Sequence, residues 1–342
     1  MTLFHNRRAC QIENAQTRVT VLAEGGHIAE ILHKATGVNP LWIPPWPSIE
    51  PSSYDPQKHP EYGGGAESRL LAGIMGHNLC LDIFGGVSSE EAAAGFGVHG
   101  EAPVAPFEIE AGGDRLSARA VLPQSQLRFE RVIRLEGERV LIRESVENLA
   151  ITDRPIGWTQ HVTLGPPFIE RGNTQFRASA TKSKVFEGDF AGDKEYMKTA
   201  AEFDWPYVPT NDGKTEDMRV YTSRLVSGAF STHLVDPARQ DAYFLAWSPA
   251  SKVLFGYEWK QADFPWLGIW EENCCRTGPP WNGKTITRGM EFGVSPMPET
   301  RRQMIERGSL FGVPGFRWIP ARTTVVAEYH AFIRTADAIP GA

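Results

Sequence analysis

Apolar and polar residues alternate along most of this chain with the two-residue period of β-strands. In residues 17–34, TRVTVLAEGGHIAEILHK, Val19 and Val21 and then Ile28 and Ile31 flank Gly25-Gly26, which predicts two short strands joined by a glycine turn. PFEIEAGGDRLSARAVLP alternates about Gly112-Gly113-Asp114, and LRFERVIRLEGERVLIRESVEN predicts two longer strands about Glu136-Gly137-Glu138. There Leu127, Phe129, Val132, Ile133, Leu135, Val140, Ile142 and Val146 form the expected buried face, with the charged residues between them solvated. Residues 156–164 read as a further strand, with Trp158, Gln160 and Val162 on one face and Gly157, Thr159, His161 and Thr163 on the other. The runs SRLVSGAFSTHLVDP, DAYFLAWSP, KVLFGYEW, FPWLGIWEEN, GMEFGVSPMP and TTVVAEYHAFIR add more short strands. With no internal repeat and no linker, the pattern predicts an all-β chain: one large antiparallel domain over residues 1–342.

Glycine and proline sharpen the boundaries. Residues 39–60, NPLWIPPWPSIEPSSYDPQKHP, are too crowded with proline for a long helix or an inner strand. They read as a long ordered loop carrying Trp42, Trp46 and Tyr54, and such loops often bind ligands. Helix signals are sparse. Ser88 and Glu91 have capping-box spacing, and residues 300–309, TRRQMIERGS, are the best helix candidate. The glycine-rich YGGG does not lead from a strand into a helix, which argues against a phosphate-binding loop.

A net charge of −6 without any basic run argues against nucleic acid or an anionic membrane as partner. Cys10, Cys80, Cys274 and Cys275 make no disulfide framework and no CxxC pair. No apolar run has the length of a membrane span, and the first residues lack the apolar core of a signal peptide, so a cytoplasmic protein is expected. HxH, HExxH and Cys/His spacings are missing, so neither a metal nor another cofactor is expected. Ten tryptophans suggest stacking on sugar C–H faces, although burial alone would claim most of them for the core.

Among the candidates for chemistry, His161 lies on the polar face of its strand and His99 between glycines in GVHGE. Glu291 sits in the apolar run MEFGV, where a carboxylate must find partners or take a raised pKa, the condition for a general base. Glu271-Glu272 follow Trp270, and one of them is a candidate for sugar hydroxyls. Adjacent strand residues face opposite ways, so the two cannot flank one glycosidic bond.

Taken together, GVHGEAPVAPFEI, ENLAITDRPIGWTQHVTLGPPF, FPWLGIWEE and GMEFGVSPMP resemble the aldose 1-epimerase (galactose mutarotase-like) superfamily over about residues 19–332. The resemblance implies a β-supersandwich with its site on the concave face of a large antiparallel sheet. It places the family's first histidine on His99, its general acid on His161 and its general base on Glu291. It also implies sugar binding by Arg69 and by an acidic residue, for which Asp236 fits by position and Glu271 by role. Trp158, Gln160 and Trp270 complete the expected pocket. The familiar His-Pro is His161-Val162 in this chain. The implied activity is cofactor-independent interconversion of the anomers of a monosaccharide or sugar derivative, in a chain that has the option of forming a homodimer. A non-catalytic sugar-binding or sensing protein on the same fold is the alternative, and a glycosidase or lyase the third reading.

Overall fold

The strands divide into two kinds by what covers them. Leu127–Glu136 and Arg139–Asn148 alternate buried and accessible positions, the mark of a sheet with one wet face. Ser227–Val235 and Trp266–Asn273 are buried at every position, and Arg154–Leu164 is buried from Ile156 onward. Those strands must be covered on both faces. In the computed structural model, which describes residues 1–341, the two kinds belong to two large antiparallel sheets packed face to face.

The first sheet has twelve strands. Its path runs Thr2–Phe4, Arg7–Glu13, Thr17–Leu22, Ile28–His33, His77–Asp82, Arg154–Leu164, Ile286–Gly293, Trp266–Asn273, Ser227–Val235, Ala180–Val185 and Glu202–Asp204. Arg317–Ile319 pairs with the beginning of Arg154–Leu164. The second sheet has eight: Gln175–Ala178, Asp241–Ser248, Val253–Lys260, Thr324–Thr335, Arg139–Asn148, Leu127–Glu136, Arg115–Leu122 and Glu108–Gly112. The expected β-supersandwich is what forms. The glycine turn at Gly25-Gly26 lies where the alternation put it, between Thr17–Leu22 and Ile28–His33. Both capping boxes form, Ser88 with Glu91 and Thr300 with Gln303, on the short helices Ser89–Ala93 and Arg301–Arg307. Among the described residues no helix is long and apolar enough to cross a membrane.

One expected core position is wrong. Val132 faces the outer side of the second sheet, and Arg131 takes the inward place. Strand alternation requires this, because Phe129, Ile133 and Leu135 are inward and Arg131 shares their parity. The guanidinium is tolerated because Glu144, on the neighbouring strand, meets Arg131 Nε at 2.7 Å with both side chains fully buried. Glu144 also accepts from Gln160 Nε2 at 2.6 Å, Trp158 Nε1 at 3.1 Å and Tyr329 Oη at 2.8 Å. Gln160 Oε1 in turn meets His77 Nε2 at 2.9 Å. This satisfied polar cluster ties the two sheets together within an otherwise apolar interior.

Candidate active site

The outer face of the first sheet is buried because loops fold over it. The proline-rich residues 39–60 form the ordered loop expected of them, zipped to the end of the Arg154–Leu164 strand. Trp42 N donates to Thr163 O at 2.8 Å, and Gly165 N to Pro40 O at 3.0 Å. Trp42 stacks on Trp281 with ring centroids 6.0 Å apart, and Trp281 meets Trp270 edge-on at 6.2 Å. Between these loops and the sheet lies a cavity of about 270 Å³, lined by His99, His161, Trp270, Arg276, Glu291 and a set of mainly apolar side chains.

Its floor is a row of residues across four adjacent strands. Asn78 pairs with His161, His161 with Glu291, and Glu291 with Gly268. Directly opposed residues share a face, so the ladder itself brings the imidazole and the carboxylate together. His161 Nε2 lies 3.1 Å from Glu291 Oε1, and His161 Nδ1 lies 3.0 Å from Thr163 Oγ1. Room for the carboxylate comes from Gly289, where a Cβ would stand 2.3 Å from Glu291 Oε1, while a Cβ on Gly268 would meet the neighbouring Phe230 ring at 3.0 Å.

His99 approaches from a loop. Its backbone has φ +66°, a left-handed conformation in which histidine is enriched over most side chains. That conformation is held by His99 N donating to Gly85 O and Leu81 N donating to His99 O. His99 Nδ1 sits against the Phe84 carbonyl, so the neutral ring carries its proton there and leaves Nε2 as an acceptor. Its ring centroid is 5.0 Å from that of His161, which is 5.8 Å from that of Trp270.

Burial dominates the electrostatics. It drives the Glu291 carboxyl well above the ordinary carboxylate range and the His161 imidazole well below its own. Burial, opposed by the Phe84 carbonyl and assisted by Arg276, lowers His99 to about 4. Glu291 Oε1 has no well-aligned hydrogen bond despite its closeness to His161. The pair therefore holds one proton in its uncharged form and keeps a buried oxygen free for a partner.

The other expected site residues lie elsewhere. Trp158 and Gln160 are fully buried between the sheets, on the face of their strand opposite to His161. They belong to the Glu144 cluster and not to the pocket. Arg69, on the one-turn helix Ser68–Leu71, points outward and donates to Pro51 O, while its neighbours Leu70 and Leu71 line the cavity. Asp236 caps a turn by accepting from Ala238 N at 3.0 Å. Glu271 turns away from the cavity into a buried pair with Arg288, Nε to Oε1 at 2.9 Å, and accepts from Tyr196 Oη at 2.8 Å.

Beside Glu291, the acidic residues nearest the site are Glu67, which lines the cavity, and Glu272, which shares the face of Trp270 and stands behind Arg276. Glu272 accepts from Cys275 N and Arg276 N at 2.8 and 3.0 Å, and its Oε2 lies 3.4 Å from Arg276 Nε. Arg276, not anticipated from sequence, supplies the cavity's guanidinium, 4.8 Å from the Trp281 ring centroid. The clue to Glu272 was present: two-residue periodicity gives it, and not Glu271, the face of Trp270. Among the described residues no group of three or more His, Cys, Asp or Glu is arranged to hold a metal ion.

Solved structures with this arrangement of strands are numerous. A protein from Klebsiella pneumoniae, assigned provisionally as an aldose 1-epimerase, superposes with a TM-score of 0.68 at 12% identity, over 95% of this chain and 78% of its own. A galactose mutarotase-like protein from Clostridium acetobutylicum gives 0.63 at 13% identity, over 98% of both chains. This chain has the galactose mutarotase-like fold. A galactose mutarotase related enzyme from Lactobacillus acidophilus gives 0.60 at 15% identity, over 97% of this chain and 100% of the other. No family model and no curated protein sequence matches the chain. What it shares with these mutarotase-like proteins is thus the course of the backbone.

Proposed function

We propose that this protein interconverts the anomers of an aldose by acid–base ring opening. The observation that carries the reading is the His161–Glu291 pair, 3.1 Å apart on the floor of a sugar-sized cavity. Both oxygens that must exchange protons in mutarotation are bonded to the anomeric carbon, so their two partners must themselves be close neighbours.

Glu291 takes the proton of the anomeric hydroxyl as His161 gives one to the ring oxygen. The bond from C1 to the ring oxygen breaks, the C1 carbonyl forms, and the sugar becomes an open-chain aldehyde. Rotation about C1–C2 presents the other face of the carbonyl. The ring oxygen then attacks C1, its hydroxyl proton returns to His161, and Glu291 gives its proton back to the new anomeric oxygen. Opening converts a carboxylate and an imidazolium into a carboxylic acid and a neutral imidazole. That second state is the one burial favours, as the raised Glu291 and lowered His161 indicate. Burial thus makes the charged pair the less populated form of the site, and from that form the proton transfers of opening run downhill. His99, with Nε2 free to accept, helps to orient the ring-oxygen side of the sugar, and Trp270 forms part of the wall.

Anomer exchange measured by NMR across a panel of reducing sugars tests the reading. His161→Ala and Glu291→Gln should each lower the exchange rate by about 10²–10⁴-fold. Full rates in both variants would refute it. Saturable sugar binding without exchange above the buffer rate would return the protein to the sugar-binding alternative.

A further inference from the structure

The two nitrogens of His161 are engaged unequally. Nδ1 makes an aligned hydrogen bond of 3.0 Å with Thr163 Oγ1, whereas Nε2 comes within 3.1 Å of Glu291 Oε1 without lining up with it. We propose, resting on the acid–base reading above, that Thr163 is a positioning residue: by accepting the Nδ1 proton it leaves Nε2 as the nitrogen that trades protons with the sugar.

The strand itself makes the contact. Residues two apart share a face, so the Thr163 hydroxyl reaches back along Arg154–Leu164 to the imidazole. The backbone of Thr163 is pinned from both sides: its N donates to Gly76 O at 3.1 Å, and its O accepts from Trp42 N at 2.8 Å. Across the ladder stands Gly289, which has no side chain to compete for the hydroxyl. Thr163 is 1% exposed and does not line the cavity, so it acts on the sugar only through His161.

Proton balance gives the hydroxyl its role. In the imidazolium both ring nitrogens carry hydrogen, so Thr163 Oγ1 can only accept from Nδ1. When Nε2 gives its proton to the ring oxygen, Nδ1 keeps its own, and the neutral ring is left with its lone pair on Nε2. The proton must return to that same nitrogen on closure, so no change of tautomer interrupts the cycle. His99 is arranged in parallel, with Nδ1 against the Phe84 carbonyl. Without the threonine hydroxyl, the buried Nδ1–H of His161 has no partner, which disfavours both this tautomer and the imidazolium.

Thr163→Val keeps the shape of the side chain and removes the hydroxyl, whereas Thr163→Ser keeps the hydroxyl. In NMR anomer exchange on the intact chain, Thr163→Val should lower kcat roughly 10–100-fold with KM changed by less than about twofold. Thr163→Ser should recover most of the loss. Long-range proton–nitrogen correlation spectra of the histidine rings at neutral pH supply the second readout, with His161 assigned by its absence from His161→Gln. They should show Nδ1–H in the unaltered protein and a proton shifted toward Nε2 in Thr163→Val. An unchanged kcat in Thr163→Val, an equal loss in both variants, or an unaltered ring protonated at Nε2 would overturn the proposal. Exchange of no sugar by the unaltered protein would overturn the acid–base reading instead, and the ring spectra would still decide whether Thr163 sets the tautomer.

Discussion

Gly289→Ala separates the chemistry of the site from its stability. The added Cβ would lie 2.3 Å from Glu291 Oε1, 3.1 Å from Glu291 Cδ and 3.2 Å from Trp270 Cβ. Ordinary contact begins at 3.4 Å, so the carboxylate oxygen has to retreat by about 1 Å. The obstructing group is mainly the far end of a side chain that can rotate, and the fold should lose only about 1–2 kcal/mol. Catalysis should lose much more, because a 1 Å misplacement of a reacting group costs on the order of 10²-fold. The assay is NMR anomer exchange of the best sugar at 25 °C, alongside urea denaturation of the same preparation. Expected are an exchange rate down by about 10²-fold and a native-like urea transition. A variant that exchanged anomers at the full rate would refute the placement of Glu291 as the base. So would a tenfold or smaller loss that Glu291→Gln did not deepen.

Three further outcomes follow from the buried charges. His27 and His233, each lowered to about 3, and His99, lowered to about 4, are all kept neutral mainly by burial. The unfolded chain takes up those protons first, so their stabilisation is complete above about pH 6.5, declines below it by about 1.4 kcal/mol per pH unit for each histidine, and stops declining once the pH has fallen through the folded values of about 4 to 3. His27→Gln should flatten the decline of the urea midpoint between pH 6.5 and 4, and an unchanged slope would contradict this. Glu144→Gln should cost roughly 3–5 kcal/mol in urea denaturation, because it strands the buried Arg131 guanidinium. Glu272→Gln should loosen Arg276 and raise KM several-fold with kcat little changed, whereas a fall in kcat alone would argue against a positioning role.

Much of the fold could be read from alternation because most strands of the second sheet have one wet face. The same rule, applied strictly, already held two facts that the functional reading passed over: Trp158 and Gln160 face away from His161, and Arg131 shares the inward parity of Phe129 and Ile133. The pairing of His161 with Glu291 was different. The two are 130 positions apart, and nothing local to either strand encodes their register, so resemblance to the superfamily was needed to join them. Arg276 and the cavity-lining Phe186 and Phe190 stayed hidden for another reason. Arg276, Phe186 and Phe190 lie in irregular segments whose direction no periodicity reports. Arg69 was off by one turn position: its helix does border the cavity, through Leu70 and Leu71.

The ladder that sets His161 opposite Glu291 also decides how the protein should fail. A site assembled from loops can melt while the domain stays folded, and activity then disappears before structure does. Here the reacting pair hangs from two strands in the middle of a twelve-strand sheet, paired on both sides through unbroken backbone hydrogen bonding. Separating the two groups means breaking the sheet at its centre, where backbone amides should be among the slowest in the chain to exchange with deuterium. Heating or urea should therefore extinguish catalysis together with the cooperative loss of tertiary structure, while loosening of the covering loops changes which sugar is accepted and how fast it leaves.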